Sequence, residues 1–162
     1  MSLSLTFKYI VVLPCEGSPY IWENRIFNTK TKEGKTELLN ECREIVGGDV
    51  TTISDPSTVR IHPMFQNSWP IAQELLCKKG IKIYVNENGI EDCTPNMACL
   101  LGGRDYSSVS GSFITAEMVK SLPIKFRPLH GNVALVVPQV VLEKVTSPDA
   151  LKYVDREEEA EE

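Results

Sequence analysis

A chain of 162 residues, 42% hydrophobic and 24% charged, can bury one core of its own without metal or disulfide staples. No apolar run approaches the roughly 20 residues of a membrane span, so no membrane-crossing segment is expected. The formal charge of −5 sits in the tail: residues 155–162 hold six acids and one arginine, which leaves sixteen acids and sixteen bases in residues 1–154 and makes nucleic acid an unexpected partner for a neutral body.

In chain order, Lys8 to Leu13 reads as a strand that is apolar on both faces and therefore central. Its apolar core, Tyr9 to Leu13, is too short for a secretory signal, so a secreted protein is not expected. Pro14, Gly17 and Pro19 break it, and Tyr20 to Phe27 reads as a second strand, aromatic and branched, that pairs with the first as a hairpin. From Lys35 to Val46 the period changes. Leu38, Leu39, Cys42, Ile45 and Val46 form one helical stripe, and Gly47-Gly48 supplies a left-handed cap. Asp49 to Ser54 is a short strand with Val50 and Ile53 as its apolar members.

Between Asp55 and Trp69 the prolines at 56, 63 and 70 punctuate the chain. Val59, Ile61, Met64 and Phe65 either add a strand or only cover the core. Ile71 to Lys79 reads as a short helix with Ile71, Leu75 and Leu76 inward, ended by Gly80. The whole of 55–80 looks like an insertion carried by the scaffold.

The most informative stretch runs from Lys82 to Gly103. Ile81, Ile83 and Val85 alternate with Lys82 and Tyr84, which puts three aliphatic side chains on one strand face. Asn86 to Gly89 then reads as a tight turn with Gly89 at positive φ. Thr94 as N-cap, Pro95 at the first position and the run Met97, Ala98, Leu100, Leu101 predict a short helix stopped by Gly102-Gly103. Beyond it come a polar loop from Arg104 to Ser108, a strand from Val109 to Ile114 and a helical turn or two over Ala116 to Leu122. The valine-rich run Asn132 to Val145, interrupted by Pro138, predicts two strands or one bent strand. The tail, residues 151–162, is expected to be disordered. The sum is a single α+β domain over residues 1–150, with a mixed or mostly antiparallel sheet of five to six strands and two to three helices packed on it.

Five cysteines (15, 42, 77, 93, 99), odd in number and without a C-x-x-C, favour reduced thiols in a cytosol-like compartment. With only His62 and His130 beside them, no metal-ligand spacing emerges, and neither a metal nor a cofactor is expected.

Ile45-Val46-Gly47-Gly48, Val85-Asn86-Glu87-Asn88-Gly89, Pro95-Asn96-Met97-Ala98 and Ser110-Gly111-Ser112-Phe113-Ile114 occur in an order that resembles a family of small domains encoded mostly by bacteriophages, mobile elements and large DNA viruses. That family is the domain of unknown function three-eight-four-six, and the likeness spans roughly residues 35–115. It implies a viral or mobile-element source and no catalytic residues. The segment 55–80 and the chain after Ala116 depart from its pattern.

Asn86, Glu87, Asn96 and Arg104 cluster in sequence around one strand end, where they converge on a small ligand or, as asparagines commonly do, satisfy turn and cap backbone groups. Cys93 near a predicted helix N-terminus invites a nucleophile reading, but no base lies nearby in sequence, and an idle thiol is the expectation. Tyr20, Trp22, Phe65 and Trp69 are candidates for a protein interface or for ordinary core. Two functions follow. The first is a non-enzymatic, virus-encoded protein-interaction protein, a minor component of the particle or an accessory factor acting on host proteins, located in host cytoplasm or virion. The second is a small-molecule binder or nucleotide-sequestering protein, and less readily an enzyme; Arg104, Lys125 and Arg127 are the scattered cations it has to work with.

Overall fold

The structure, a computed structural model, describes residues 6–53, 55–66, 69–104 and 115–146. The first apolar run becomes β1 (Phe7–Leu13), and β2 (Tyr20–Asn28) returns antiparallel beside it. β1 has apolar residues on both faces because it lies inside a five-stranded antiparallel sheet of order β2-β1-β8-β5-β3, completed by β3 (Val50–Thr52), β5 (Lys82–Asn86) and β8 (Val133–Pro138). All six residues of β8, the middle strand, are buried.

One face of this sheet is covered by α1 (Lys32–Val46). Thr31 caps the helix by accepting the Gly34 N–H, and Gly47, at φ 81°, turns the chain out of it as the left-handed cap that glycine permits without strain. Leu38, Cys42, Ile45 and Val46 bury against Ile10, Val12, Phe27 and Val136, so the helical stripe read from the sequence is the packed one.

The opposite face meets a second antiparallel sheet of three strands, β4 (Val59–Ile61), β6 (Pro95–Arg104) and β7 (Ile124–His130), in the order β4-β6-β7. Between the sheets lies the larger core, joined by α3 (Pro70–Leu76) and α6 (Gln139–Val145). The short helices α2 (Pro63–Gln66), α4 (Gly89–Asp92) and α5 (Ala116–Ser121) complete the set. The architecture is α+β, and every strand pairing among the described residues is antiparallel. The segment 55–80 supplies Val59, Ile61, Trp69, Leu75 and Leu76 to the central core.

Three local expectations are corrected. Residues 95–101 form strand β6 rather than a helix, and Gly102-Gly103 lie within that strand instead of stopping one. A register shift between Asn96 and Leu100 lets both Ala98 and Cys99 face the core, so the burial pattern loses its period of two and imitates a helical run. Gly102 is there for Phe126, since a Cβ at that position would sit 2.7 Å from the ring lying across it. Gly89 opens α4 and is absent from the positive-φ glycines, which are Gly17, Gly47, Gly80 and Gly131. The turn is closed by the Asn86 side chain instead, whose Oδ1 accepts the Asn88 N–H at 2.7 Å.

The third correction concerns residues 139–145, which form helix α6 and not a second strand. Pro138 ends β8, and Val141, Leu142 and Val145 then meet the core at helical spacing that the valine-rich composition disguises. β7 carried no clear strand signal, because Pro128 interrupts it. The expected strand at 109–114, the loop at 105–108 and the tail lie outside the described residues.

Candidate functional site

The four polar residues that cluster in sequence are not brought to one place. Asn86 is 6% exposed and donates through Nδ2 to the Val46 carbonyl at 3.0 Å, fastening β5 to the end of α1. Asn96 is 0% exposed; its Nδ2 donates to the carbonyls of Leu13 (3.0 Å) and Gly131 (3.1 Å), and its Oδ1 accepts the Ala98 N–H (3.2 Å). Both side chains are consumed by backbone groups, and Asn86 also lies in the lining of the cleft described next. Glu87 is exposed, and Arg104 stands at the far end of β6, where Nη1 donates to the Leu122 carbonyl at 2.9 Å. Asn132 belongs with these asparagines although nothing in its sequence neighbourhood groups it with them. It accepts the Cys15 N–H and donates to the Ile45 carbonyl.

What the fold builds instead is a cleft between the two sheets, about 790 Å³ in volume. Paired residues in an antiparallel ladder share a face. Val59, Leu101 and Arg127 therefore form one row across the three-stranded sheet, directed at the other sheet. The row passes from buried Val59 through half-buried Leu101 to exposed Arg127, so the core gives way to a mouth along it. Ile53, Val85, Leu101 and Leu129 make an apolar floor. Glu87, Ile90 and Glu91 rim the side nearer β5 and α4, while Arg127 rims the other, and the volume is of the size that ligand sites usually have.

Beyond Leu101 and Arg127 the cleft continues into a smaller hollow of about 330 Å³ lined by Gly102, Gly103, Arg104 and Lys125. Arg104, Lys125 and Arg127, scattered in the sequence, are thus gathered at one end of the β6–β7 ribbon. Among the described residues none of the three is paired with a carboxylate. The outer face of the ribbon carries a different contact: the Arg60 guanidinium lies 4.3 Å over the Phe126 ring.

The aromatic candidates divide between two places. Trp69 is 4% exposed and stacks at a tilt on Phe65 within the central core. Tyr20 and Trp22 are half-buried on the other side of the five-stranded sheet, beside α1, where the indole N–H donates to Glu41 at 3.0 Å. They form no common surface. Cys93 is half-buried, and burial, followed by the charges of Asp92 and Cys15, pushes its thiol up from the ordinary range, the reverse of activation. His130 approaches it only through Nδ1 to the Cys93 carbonyl, 3.2 Å away. Among the described residues no three His, Cys, Asp or Glu side chains are placed to hold a metal, and no helix is long and apolar enough to cross a membrane.

No family model, curated protein or solved structure matches the chain.

Proposed function

We propose that the protein acts by binding another protein, as a virus-encoded particle component or an accessory factor directed at host proteins, and that the inter-sheet cleft is where it binds. The occupant that fits is an extended segment of the partner, with one apolar side chain for the floor and acidic residues for the basic lip. The observation that carries this is the lining itself, an apolar floor of Ile53, Val85, Leu101 and Leu129 with a charged rim. An apolar centre inside a polar rim is the usual anatomy of a protein interface. Ile90, 82% exposed at the rim, adds apolar area that the chain itself leaves uncovered. The viral source rests on the family resemblance read from residues 35–115.

A second reading, capture of a small phosphorylated molecule such as a nucleotide, is favoured by one observation, the gathering of Arg104, Lys125 and Arg127 at the end of the cleft. Selection from a random peptide library on the intact protein separates the two. Enrichment of an apolar residue flanked by acids, with binding lost on Arg127→Glu and on Thr51→Trp, supports the peptide reading. Peptides that bind both variants as well as the parent, or a library that yields no enrichment, would overturn it. Arg127 and Thr51 are exposed, so neither change is expected to unfold the chain.

A further inference from the structure

A second hollow, on the opposite face of the five-stranded sheet from the cleft, carries an independent argument. Alternation along β1 puts Lys8 on the α1 side with Ile10 and Val12, and alternation along β5 puts Lys82 there with Tyr84. Val136 of β8 pairs with both Ile10 and Lys82, while Lys8 pairs with Pro138, so the two lysines flank β8 diagonally where the sheet runs past the start of α1. Lys35, early in α1, closes the third side. The space they enclose is about 280 Å³, lined also by Thr29, Tyr84 and Leu38. Water takes about 30 Å³ per molecule in the liquid, so the hollow has room for a tetrahedral oxyanion with water around it.

Among the described residues no acid lines this space. Of the carboxylates that α1 directs toward β2, Glu37 is held by Arg25 and Glu41 accepts from the Trp22 indole, and the described ion pairs are those of Arg25 alone. A lysine over an apolar surface normally runs its ammonium out to water. Lys8 is instead partly buried, and burial, with the positive charge of Lys82 second, holds its pKa below the usual lysine value. Three ammonium groups around one hollow repel one another, and among the described residues no carboxylate is placed to offset that. An anion would.

We propose that the hollow formed by Lys8, Lys35 and Lys82 binds a phosphate-class oxyanion, either the free ion or the terminal group of a phosphate ester. The site is separate from the inter-sheet cleft, so it stands or falls without the peptide reading. The test is an NMR titration of the full chain, lysine-labelled with ¹³C and ¹⁵N, with sodium phosphate against sodium chloride at matched ionic strength.

Saturable shifts at Lys8 and Lys82, a rise in the Lys8 pKa on binding, and a loss of affinity of about tenfold or more in each of Lys8→Met and Lys82→Met would support it. Lys120 and Lys144, exposed on other elements, should follow ionic strength only. Lys82 is exposed, so its variant remains informative even if Lys8→Met misfolds. Repeating the titration with glycerol 3-phosphate separates the sources: matching affinity means an end-group site, and binding of inorganic phosphate alone means a free-ion site. Shifts at Lys8 and Lys82 no larger than those at Lys120, or affinity unchanged in Lys82→Met, would overturn the proposal.

Discussion

Replacing Asn96 by alanine tests whether an amide that is fully buried is a fastening or a ligand group. The side chain is 0% exposed and serves three backbone groups on three segments: the Leu13 carbonyl at the end of β1, the Gly131 carbonyl in the turn after β7, and the Ala98 N–H on its own strand. Alanine leaves all three without that partner. A buried polar group stripped of its partner costs about 1–3 kcal/mol, and allowing for carbonyls that keep a second partner, the sum is about 3 kcal/mol, or a fall of about 6–12 °C in melting temperature for a chain of this size. Asn96→Asp sharpens the argument, because a carboxylate cannot donate to two carbonyls and brings a charge into a dry site. Its folded-state pKa should lie above its unfolded value, so the folded state holds the proton longer, and stability falls as pH rises from the unfolded value through the folded one. Urea denaturation at pH 7 and pH 4.5 measures both variants, with the exposed Glu87→Gln as a control expected within about 0.5 kcal/mol of the parent. Asn96→Ala equal to that control, or Asn96→Asp no more pH-dependent than the parent, would refute the reasoning.

Two further results are expected. Gly89→Ala should cost about 1 kcal/mol by pressing a methyl group 3.0 Å from the His130 carbonyl, whereas Gly131→Ala should cost more, since it combines φ 86° with a contact 3.0 Å from the Cys93 sulfur; thermal melts that reverse this order would contradict the geometry. Brief alkylation at pH 8 followed by peptide mapping should label exposed Cys77 first and leave Cys42 and Cys99 unlabelled until denaturant is added, because burial pushes each of those two thiols up to about 12.

The parts of the fold legible in the sequence are those where local pattern and tertiary role agree. β1 is apolar on both sides because it is interior, and the stripe on α1 is continuous because one face alone is packed. The pattern fails where a local irregularity is made by a distant partner. The bulge in β6 answers to β7, and Gly102 answers to Phe126, 24 residues later, a relation that no window around the glycine contains. At the site, the sequence left two readings open for Asn86 and Asn96, ligand groups or backbone-satisfying ones, and their side chains hydrogen-bond to backbone groups. The cleft was invisible because its floor takes one residue from each of four segments, Ile53, Val85, Leu101 and Leu129, each of which reads alone as ordinary core.

The same distribution explains how the cleft acquires a closed end and an open one. At the closed end the two sheets are stitched by hydrogen bonds: Asn96 of β6 reaches the ends of β1 and β7, and the Gly131 N–H donates to the Thr94 carbonyl at 2.8 Å. The bond from Asn96 to Leu13 crosses from the three-stranded sheet to the five-stranded one, and the two made by Gly131 hold the turn that carries the chain from β7 into β8. At the opposite end β6 and β7 continue to Arg104 and Ile124, past the last buried pair of residues, and their inward positions change from Cys99 and Leu129 to Gly103, Lys125 and Arg127. Cationic side chains cannot be buried there without partners, so the sheets cannot close on each other at that end as they do at the Asn96 end. The opening is thus a consequence of which residues occupy the inward positions of β6 and β7, and an open cleft is what that choice of residues leaves.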